Sequence, residues 1–173
     1  MASTYTLISS QVLASSAASV TFSSIPSTYK DLVLKWSIRS STSSTNDAIN
    51  LTLNGNSTAI YSSTYLYGNG ATTASLNSST SSGNLFFQYS RMADGATATA
   101  NTFSNAELYI PSYTASQNKP ASFFGAQEDN STTANIFLLA NLAQITATIS
   151  SIGMVLNSSA NFVSGSSFYL YGI

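Results

Sequence analysis

Apolar side chains recur at every second position in many short stretches of this chain, a period that is typical of β-strands. The clearest example runs from Leu32 to Ile38, where the polar positions include Lys35 and lead on to Arg39. This pattern predicts a strand with one buried face and with its charges directed to solvent. The predicted strands are Tyr5–Ser9, Ser19–Ser23, Leu32–Ile38, Ile49–Leu53, Ile60–Tyr67, Leu85–Met92, Phe103–Ile110, Ser122–Ala126, Ile136–Ala140, Ser167–Tyr171 and a stretch with a parity shift, Ile145–Leu156.

Turn-forming residues separate these stretches. Asn54-Gly55 is a strong hairpin signal, because both residues tolerate the positive φ that tight β-turns require. Two low-complexity segments, Ala71–Ser82 and Gly95–Asn101, are rich in Ala, Ser, Thr and Asn and predict long surface loops. Further turns are predicted at Gly68-Asn69-Gly70, Ser82-Gly83-Asn84, Asp94-Gly95 and Asn118-Lys119-Pro120.

The sequence as a whole predicts an all-β fold. About ten short strands with turns between them favour an antiparallel β-sandwich of jelly-roll type. No segment of ten or more residues shows a clean helical period, and nothing marks a domain boundary. We therefore expect residues 1–173 to form a single sandwich domain.

The composition limits the possible chemistry. The chain has no Cys and no His, which removes the commonest metal ligands and the commonest general base near neutral pH. Its five basic residues are scattered, so we expect no nucleic-acid partner. Ser, Thr and Asn account for 70 of 173 residues, and the net charge is only −1. A polar but almost uncharged surface of this kind favours close packing against other proteins.

No stretch approaches the 18 apolar residues of a membrane helix, and the N-terminal residues lack the basic and apolar regions of a signal peptide. We therefore expect no membrane association.

Two short motifs suggest chemistry, and each has a simpler interpretation. Ser27 and Lys30 match the S-x-x-K pattern of penicillin-binding enzymes, but they lead directly into a predicted strand and their companion motifs are missing. Glu128 and Asp129, followed by Asn130, could supply part of a Ca²⁺ site. A solvated loop is the better interpretation, because no D-x-D-x-D-G spacing accompanies them. We expect no catalytic residues, no metal and no cofactor.

The ten tyrosines are the most suggestive group. Tyr61, Tyr65 and Tyr67 share one side of a predicted strand, and Tyr113 follows a later one. Exposed tyrosines stack on sugar rings or anchor interfaces, so these four are the candidate binding residues. Aromatic residues at a spacing of two also line buried faces, and that interpretation is favoured.

Two long segments carry a resemblance to a known family. Residues from Phe22 to Ser40 resemble the FxSIPxTYxDLxLxxxxR stretch of small virion proteins of tailed bacteriophages. The C-terminal segment, from Ile152 to Ile173, is similar to their closing SGNFxxGSxFxLYGI stretch. The start, Thr4–Ser10, and the central segment Leu108–Pro111 also fit.

The resemblance implies a phage structural protein in the virion, and the family has no catalytic residues to transfer. The family includes capsid, head-decoration and tail proteins. The leading hypothesis is therefore a capsid decoration (cement) protein, a homotrimer that contacts the major capsid protein. The alternative is a tail or fibre module that binds host-surface glycans. A cell-wall hydrolase is disfavoured by the residue inventory.

Overall fold

The computed structural model describes residues 4–85, 92–130 and 134–173, and these ranges contain thirteen strands and no helix. The strands are β1 (Thr6–Val12), β2 (Ser19–Phe22), β3 (Leu32–Ile38), β4 (Asn46–Asp47), β5 (Ile49–Leu53), β6 (Tyr61–Gly68), β7 (Thr73–Ser82), β8 (Ala93–Asp94), β9 (Ser104–Ile110), β10 (Lys119–Gln127), β11 (Asn135–Ala143), β12 (Ile152–Leu156) and β13 (Ser167–Gly172).

The strands form two main antiparallel sheets of unequal size. The large sheet has eight strands in the order β1-β13-β3-β9-β10-β11-β6-β7, and the small sheet has the order β2-β12-β5. A short pair, β4-β8, lies apart from both. The predicted all-β antiparallel sandwich is confirmed. The C-terminal strand β13 lies between β1 and β3, so the end of the chain is fixed inside the large sheet.

One apolar cluster lies between the sheets. Phe22 and Met154 of the small sheet belong to it together with Leu34 and Phe123 of the large sheet, and all four are almost fully buried. The alternation along β3, β9, β10 and β11 turns one side of the large sheet toward this cluster, as the period of two requires.

The segment Ala71–Ser82 was expected to be a loop, and this prediction is wrong. Most of it is β7, a ten-residue strand paired antiparallel with β6. The turn at Gly68-Asn69-Gly70 explains the difference, because the Asn69 side-chain oxygen accepts hydrogen bonds from the backbone N–H groups of Ala71 and Thr72. This turn returns the chain alongside β6, where Thr and Ser suit an edge strand.

Two other local predictions differ from the structure. The predicted strand over residues 145–149 pairs with no strand, although Ile145 and Ile149 are buried. Here the chain passes from β11 of the large sheet to β12 of the small sheet. The apolar residues at every second position are therefore buried in this connection without belonging to a sheet. The predicted turn at residues 118–120 is instead the start of β10, which begins at Lys119. Of the predicted strand Leu85–Met92, residues 86–91 lie outside the described ranges, while Leu85 pairs with Leu51.

Arg39 was expected to face solvent, and this prediction is also wrong. Arg39 follows β3 and is 9% exposed, because the loop over residues 96–102 folds across it. Its guanidinium group donates to the carbonyl oxygens of Thr99 (2.7 Å), Ala98 (2.9 Å) and Thr102 (2.9 Å). Backbone carbonyls therefore solvate this cation in place of water.

Lys119 is a second buried cation, 1% exposed. Its Nζ donates to the carbonyl oxygens of Gln117 (2.5 Å), Ala115 (2.6 Å) and Ile145 (3.2 Å). Burial lowers the pKa of the Lys119 ammonium group from its ordinary value of 10.5, because removal from water penalises the charged form. This ammonium group therefore links the start of β10 to the turn before it and to the segment that follows β11.

The lowered pKa of Lys119 predicts a particular pH dependence of stability. Between the folded-state pKa and 10.5 the unfolded chain binds more protons than the folded chain, so the free energy of unfolding rises with pH in this window. Chemical unfolding at a series of alkaline pH values checks this, with Lys119→Met as the comparison. We expect the free energy of unfolding of the wild type, minus that of the Lys119→Met variant, to increase as pH rises toward 10.5. A difference that is constant with pH would contradict the prediction.

Candidate functional site

The outer face of the large sheet is the face turned away from the small sheet. The register places its side chains in rows that cross the strands. Leu66 of β6 pairs with Leu138 of β11, and Leu138 pairs in turn with Phe124 of β10. The same row continues through Glu107 of β9 to Lys35 of β3. Apolar residues therefore occupy one half of this row and charged residues follow them.

An apolar patch occupies the β6, β10 and β11 part of the outer face. We define it by four residues: Leu66, Phe124, Ile136 and Leu138. They are 47–50% exposed, whereas Phe123, Phe137 and Leu139 on the opposite face of the same strands are nearly fully buried. Contiguous apolar surface on a soluble domain commonly marks an interaction site. The patch is therefore the first candidate functional surface.

Small and uncharged residues border most of the apolar patch, and Glu107 borders it beside Phe124. Ala140 pairs with Thr64 and Ser122 on one side, and Ala126 pairs with Asn105 toward β9. Apart from Ala126, which is partly buried, these uncharged rim residues are exposed. An apolar centre with a polar rim is the usual anatomy of a protein–protein interface.

A tyrosine cluster occupies the other half of the outer face. We define it by Tyr5, Tyr109, Tyr169 and Tyr171. The rings of Tyr5 and Tyr171 meet edge to face with centroids 5.8 Å apart. Lys35 Nζ lies 5.0 Å from the Tyr5 ring centroid and 2.9 Å from Glu107 Oε2. This half thus presents rings, hydroxyl groups and one ion pair.

Asp31 fixes the position of Tyr109 in this cluster. The Tyr109 hydroxyl donates to Asp31 Oδ2 at 2.8 Å, and the backbone N–H of Ser112 donates to Oδ1 at 2.8 Å. The hydrogen bond to this carboxylate raises the pKa of Tyr109, since loss of the phenolic proton would place two negative charges side by side. Asp31 is only 8% exposed, and its carboxylate accepts from both the Tyr109 hydroxyl and the Ser112 backbone, which holds the Tyr109 ring in position.

None of the four tyrosines predicted from the sequence lies on the outer face. Tyr61 and Tyr113 are fully buried and Tyr65 is 6% exposed, so none of them can stack on a ligand at the surface. Tyr61 instead links the sheets, since its hydroxyl accepts from Leu53 N at 3.0 Å. Tyr67 is partly buried on the inner side of β6, where its ring stacks 6.3 Å from that of Phe137.

The two motifs that suggested chemistry lie in irregular segments. Ser27 and Lys30 are exposed and belong to no helix, so they lack the one-turn geometry that S-x-x-K chemistry needs. Glu128 is exposed and accepts from the backbone N–H of Asn130 at 2.6 Å, within a loop after β10. Asp129 beside it is only 2% exposed, so the expectation of a solvated loop holds for Glu128 and is wrong for Asp129. Across residues 4–85, 92–130 and 134–173, no three His, Cys, Asp or Glu side chains are grouped as metal ligands. None of the same residues forms a helix that could cross a membrane.

The apolar patch was missed from the sequence, although one signal for it exists. In β11 both parities are apolar, since Ile136 and Leu138 interleave with Phe137 and Leu139. The same is true of the adjacent pair Phe123 and Phe124 in β10. A strand that is apolar on both sides needs a second covering layer. In the structure of the single chain the outer side of these strands is exposed.

Comparisons with known proteins assign no family to this chain. No family model matches it, and no curated protein matches it. A solved structure titled "Cell entry of botulinum neurotoxin type C is dependent upon interaction with two ganglioside molecules" aligns with 10% sequence identity and a TM-score of 0.21. The alignment covers 94% of this chain and 42% of that chain. At this TM-score the likeness carries no argument about fold or function.

Proposed function

We propose that this chain is a structural protein of a tailed-phage particle, a decoration (cement) protein that binds neighbouring virion proteins through the apolar patch. Its partners are further copies of itself and the major capsid protein, and its place is the assembled virion. Two independent points support the proposal. The sequence resembles phage virion proteins at both ends, and the exposed patch has the composition of a protein interface.

The apolar patch is the observation that carries the proposal. Burying it against a neighbouring subunit removes Leu66, Phe124, Ile136 and Leu138 from water, at about 25 cal/mol for each Å² of apolar surface. A contact of this kind adds to the free energy needed to separate subunits of a shell. It requires no catalytic residue, no metal and no cofactor.

The test is the copy number of this chain in purified particles of the phage that encodes it, relative to the major capsid protein. We expect a ratio of one or a simple fraction of one. In particles that carry Phe124→Thr, we expect the ratio to fall and the particles to break at lower temperature. Loss of a buried interface aromatic commonly costs about 2 kcal/mol or more of binding free energy.

Val155→Thr is the matched control. Val155 is 42% exposed but lies on β12, in the small sheet and away from the patch. Its replacement should leave copy number and particle stability at the wild-type level. A handful of copies per particle, or equal occupancy by the Phe124 and Val155 variants, would refute the decoration role.

The tyrosine cluster supports a second candidate function, binding of host-surface glycans by a tail or fibre protein. Aromatic rings stack on the apolar faces of sugars, and Glu107 and Lys35 beside the rings can bond to sugar hydroxyls. Under this hypothesis Tyr5→Ala, at a position 51% exposed, abolishes adsorption to host cells while copy number stays unchanged. Normal adsorption by this variant would count against the glycan hypothesis.

A further inference from the structure

We infer that the apolar patch binds the apolar patch of a second copy of this chain, so that two copies pack face to face in a two-fold dimer. The inference rests on the proposed function, since it concerns the same surface and names its partner. The position of Leu138 at the centre of the patch and the chemistry of the rim support it, and the size of the surface predicts a weak contact.

The register around Leu138 suits a two-fold axis. Leu66 lies beside Leu138 on β6, and Phe124 lies beside it on β10 in the same row. A two-fold axis that runs between the two facing large sheets, parallel to β11 and over Leu138, places the two copies of Leu138 against each other. It also sets Leu66 of each copy against Phe124 of the other. The three apolar side chains of this row then meet apolar partners, and Glu107 of each copy lies opposite Ser75 of the other, whose hydroxyl group can donate to the carboxylate. The row is therefore self-complementary, as a two-fold contact requires.

The rim also fits a second copy. Thr64, Ser75 and Ser122 are exposed on the outer face around the patch. A hydroxyl group both donates and accepts hydrogen bonds, so a rim of hydroxyl groups can pair with an identical rim. The net charge of −1 for each chain adds almost no repulsion between two copies.

The contact is small. Around this axis five neighbouring strands of each copy face the second copy, in the sheet order β9, β10, β11, β6 and β7. With strands about 4.8 Å apart and seven or so residues at about 3.3 Å each, this area is roughly 550 Å² in projection. A stable interface buries about 800 Å² per partner, so the dimer should be weak and concentration-dependent. On a shell, neighbouring copies are held at a high effective concentration, where a weak contact is sufficient.

The arrangement leaves Tyr5, Tyr169 and Tyr171 of the tyrosine cluster accessible. Strands β3, β13 and β1 extend beyond the five strands that face the second copy, whereas Tyr109 lies on β9 at the edge of the contact. Dimerisation through the apolar patch does not occupy Tyr5 or Tyr171.

Sedimentation velocity of the purified chain over a range of concentrations, from micromolar to near millimolar, tests the inference. We expect the mass to rise from 18.1 kDa toward twice that value as concentration increases. Leu138→Lys places two ammonium groups against each other at the centre of the contact and should weaken dimerisation roughly thirtyfold or more. Because position 138 is half exposed in the single chain, the variant should still fold, and circular dichroism checks this.

Val155→Lys is the matched control, since it adds the same charge at a position of similar exposure on the small sheet. It should dimerise as the wild type does. Leu138→Thr is a second variant that adds no charge and should also weaken the dimer. A monomer at every concentration, the homotrimer expected from the family resemblance, or a dimer that Leu138→Lys leaves intact would overturn the inference.

The outcomes distinguish this inference from the proposed function. If the chain is monomeric in solution but Phe124→Thr lowers its copy number in particles, the dimer is refuted and the virion role stands. If the dimer forms through Leu138 but particles contain none of the chain, the virion role is refuted and the dimer stands.

Discussion

Arg39→Met is expected to lower the free energy of unfolding by about 3 kcal/mol or more. The guanidinium group donates to four carbonyl groups of the loop over residues 96–102, including those of Thr99 and Ala98. Methionine preserves most of the side-chain volume but donates no hydrogen bond, so several buried carbonyls lose their partner. The loop that covers residue 39 then loses the group that holds it in place.

Lys35→Met is the control for Arg39→Met, because both cations belong to the same part of the chain. Lys35 forms a 2.9 Å ion pair with Glu107, and both side chains are about 40% exposed. Exposed pairs of this kind contribute about 0–1 kcal/mol. Urea unfolding followed by Trp36 fluorescence or circular dichroism measures both variants. Equal losses of stability in the two variants would show that burial of Arg39 has no energetic importance.

Gly95→Ala is expected to destabilise the fold by about 3 kcal/mol, through a steric clash. A Cβ atom at residue 95 would lie 2.0 Å from the carbonyl oxygen of Ser44 and 3.2 Å from the backbone N of Asn46. Both neighbours are backbone atoms, so no side-chain rotation relieves the contact. Room for alanine requires the β4-β8 pair to separate, because Asp94 and Asn46 are paired immediately beside this contact.

Gly68→Ala is the matched control. A Cβ atom at residue 68 would meet Ile136 Cγ2 at 3.5 Å, an ordinary van der Waals contact. Where the backbone permits it, alanine in place of glycine stabilises by about 0.4–1 kcal/mol through the unfolded state. Thermal unfolding of the two variants compares them directly. A Gly95→Ala variant as stable as Gly68→Ala would contradict the close approach at Ser44.

The segments that carry the resemblance to phage proteins lie together in the fold. Leu32–Ser37 of the first segment pairs with Ser167–Gly172 of the last, so β3 and β13 are neighbours inside the large sheet. The patch strands β6, β10 and β11 contain none of the resembling segments. Within the large sheet the resemblance therefore concerns strands on the tyrosine half, and β12 of the small sheet also belongs to the last segment. The apolar patch, on which the proposed contact depends, therefore lies outside the segments that resemble phage proteins.

The fold class followed from local chemistry. The alternation in β3, β5 and β12 and the turn at Asn54-Gly55 are properties of short segments, and both turn residues do adopt positive φ, 53° and 65°. A period of two requires one face of a strand to be buried whatever its partner is. The antiparallel sandwich could therefore be predicted without knowledge of which strands pair.

Burial of individual side chains followed only in part from the sequence. Alternation assigned Tyr61 and Tyr65 to one face and favoured burial of that face, but it did not identify the layer that covers it. The structure buries both. It also brings together Tyr109 of β9, Tyr171 of β13 and Tyr5, which immediately precedes β1. These positions are far apart along the chain, so the spacing along any one strand cannot reveal the cluster.

The sequence by itself determined an all-β chain of alternating strands with few charges and no Cys or His. Only the tertiary structure decided that Arg39 is buried, that β7 is a strand and that Leu66, Phe124, Ile136 and Leu138 form one exposed patch. The physical reason is that alternation and turn chemistry act between near neighbours. Strand order, loop placement and the layer that covers each face depend instead on contacts between residues distant in sequence.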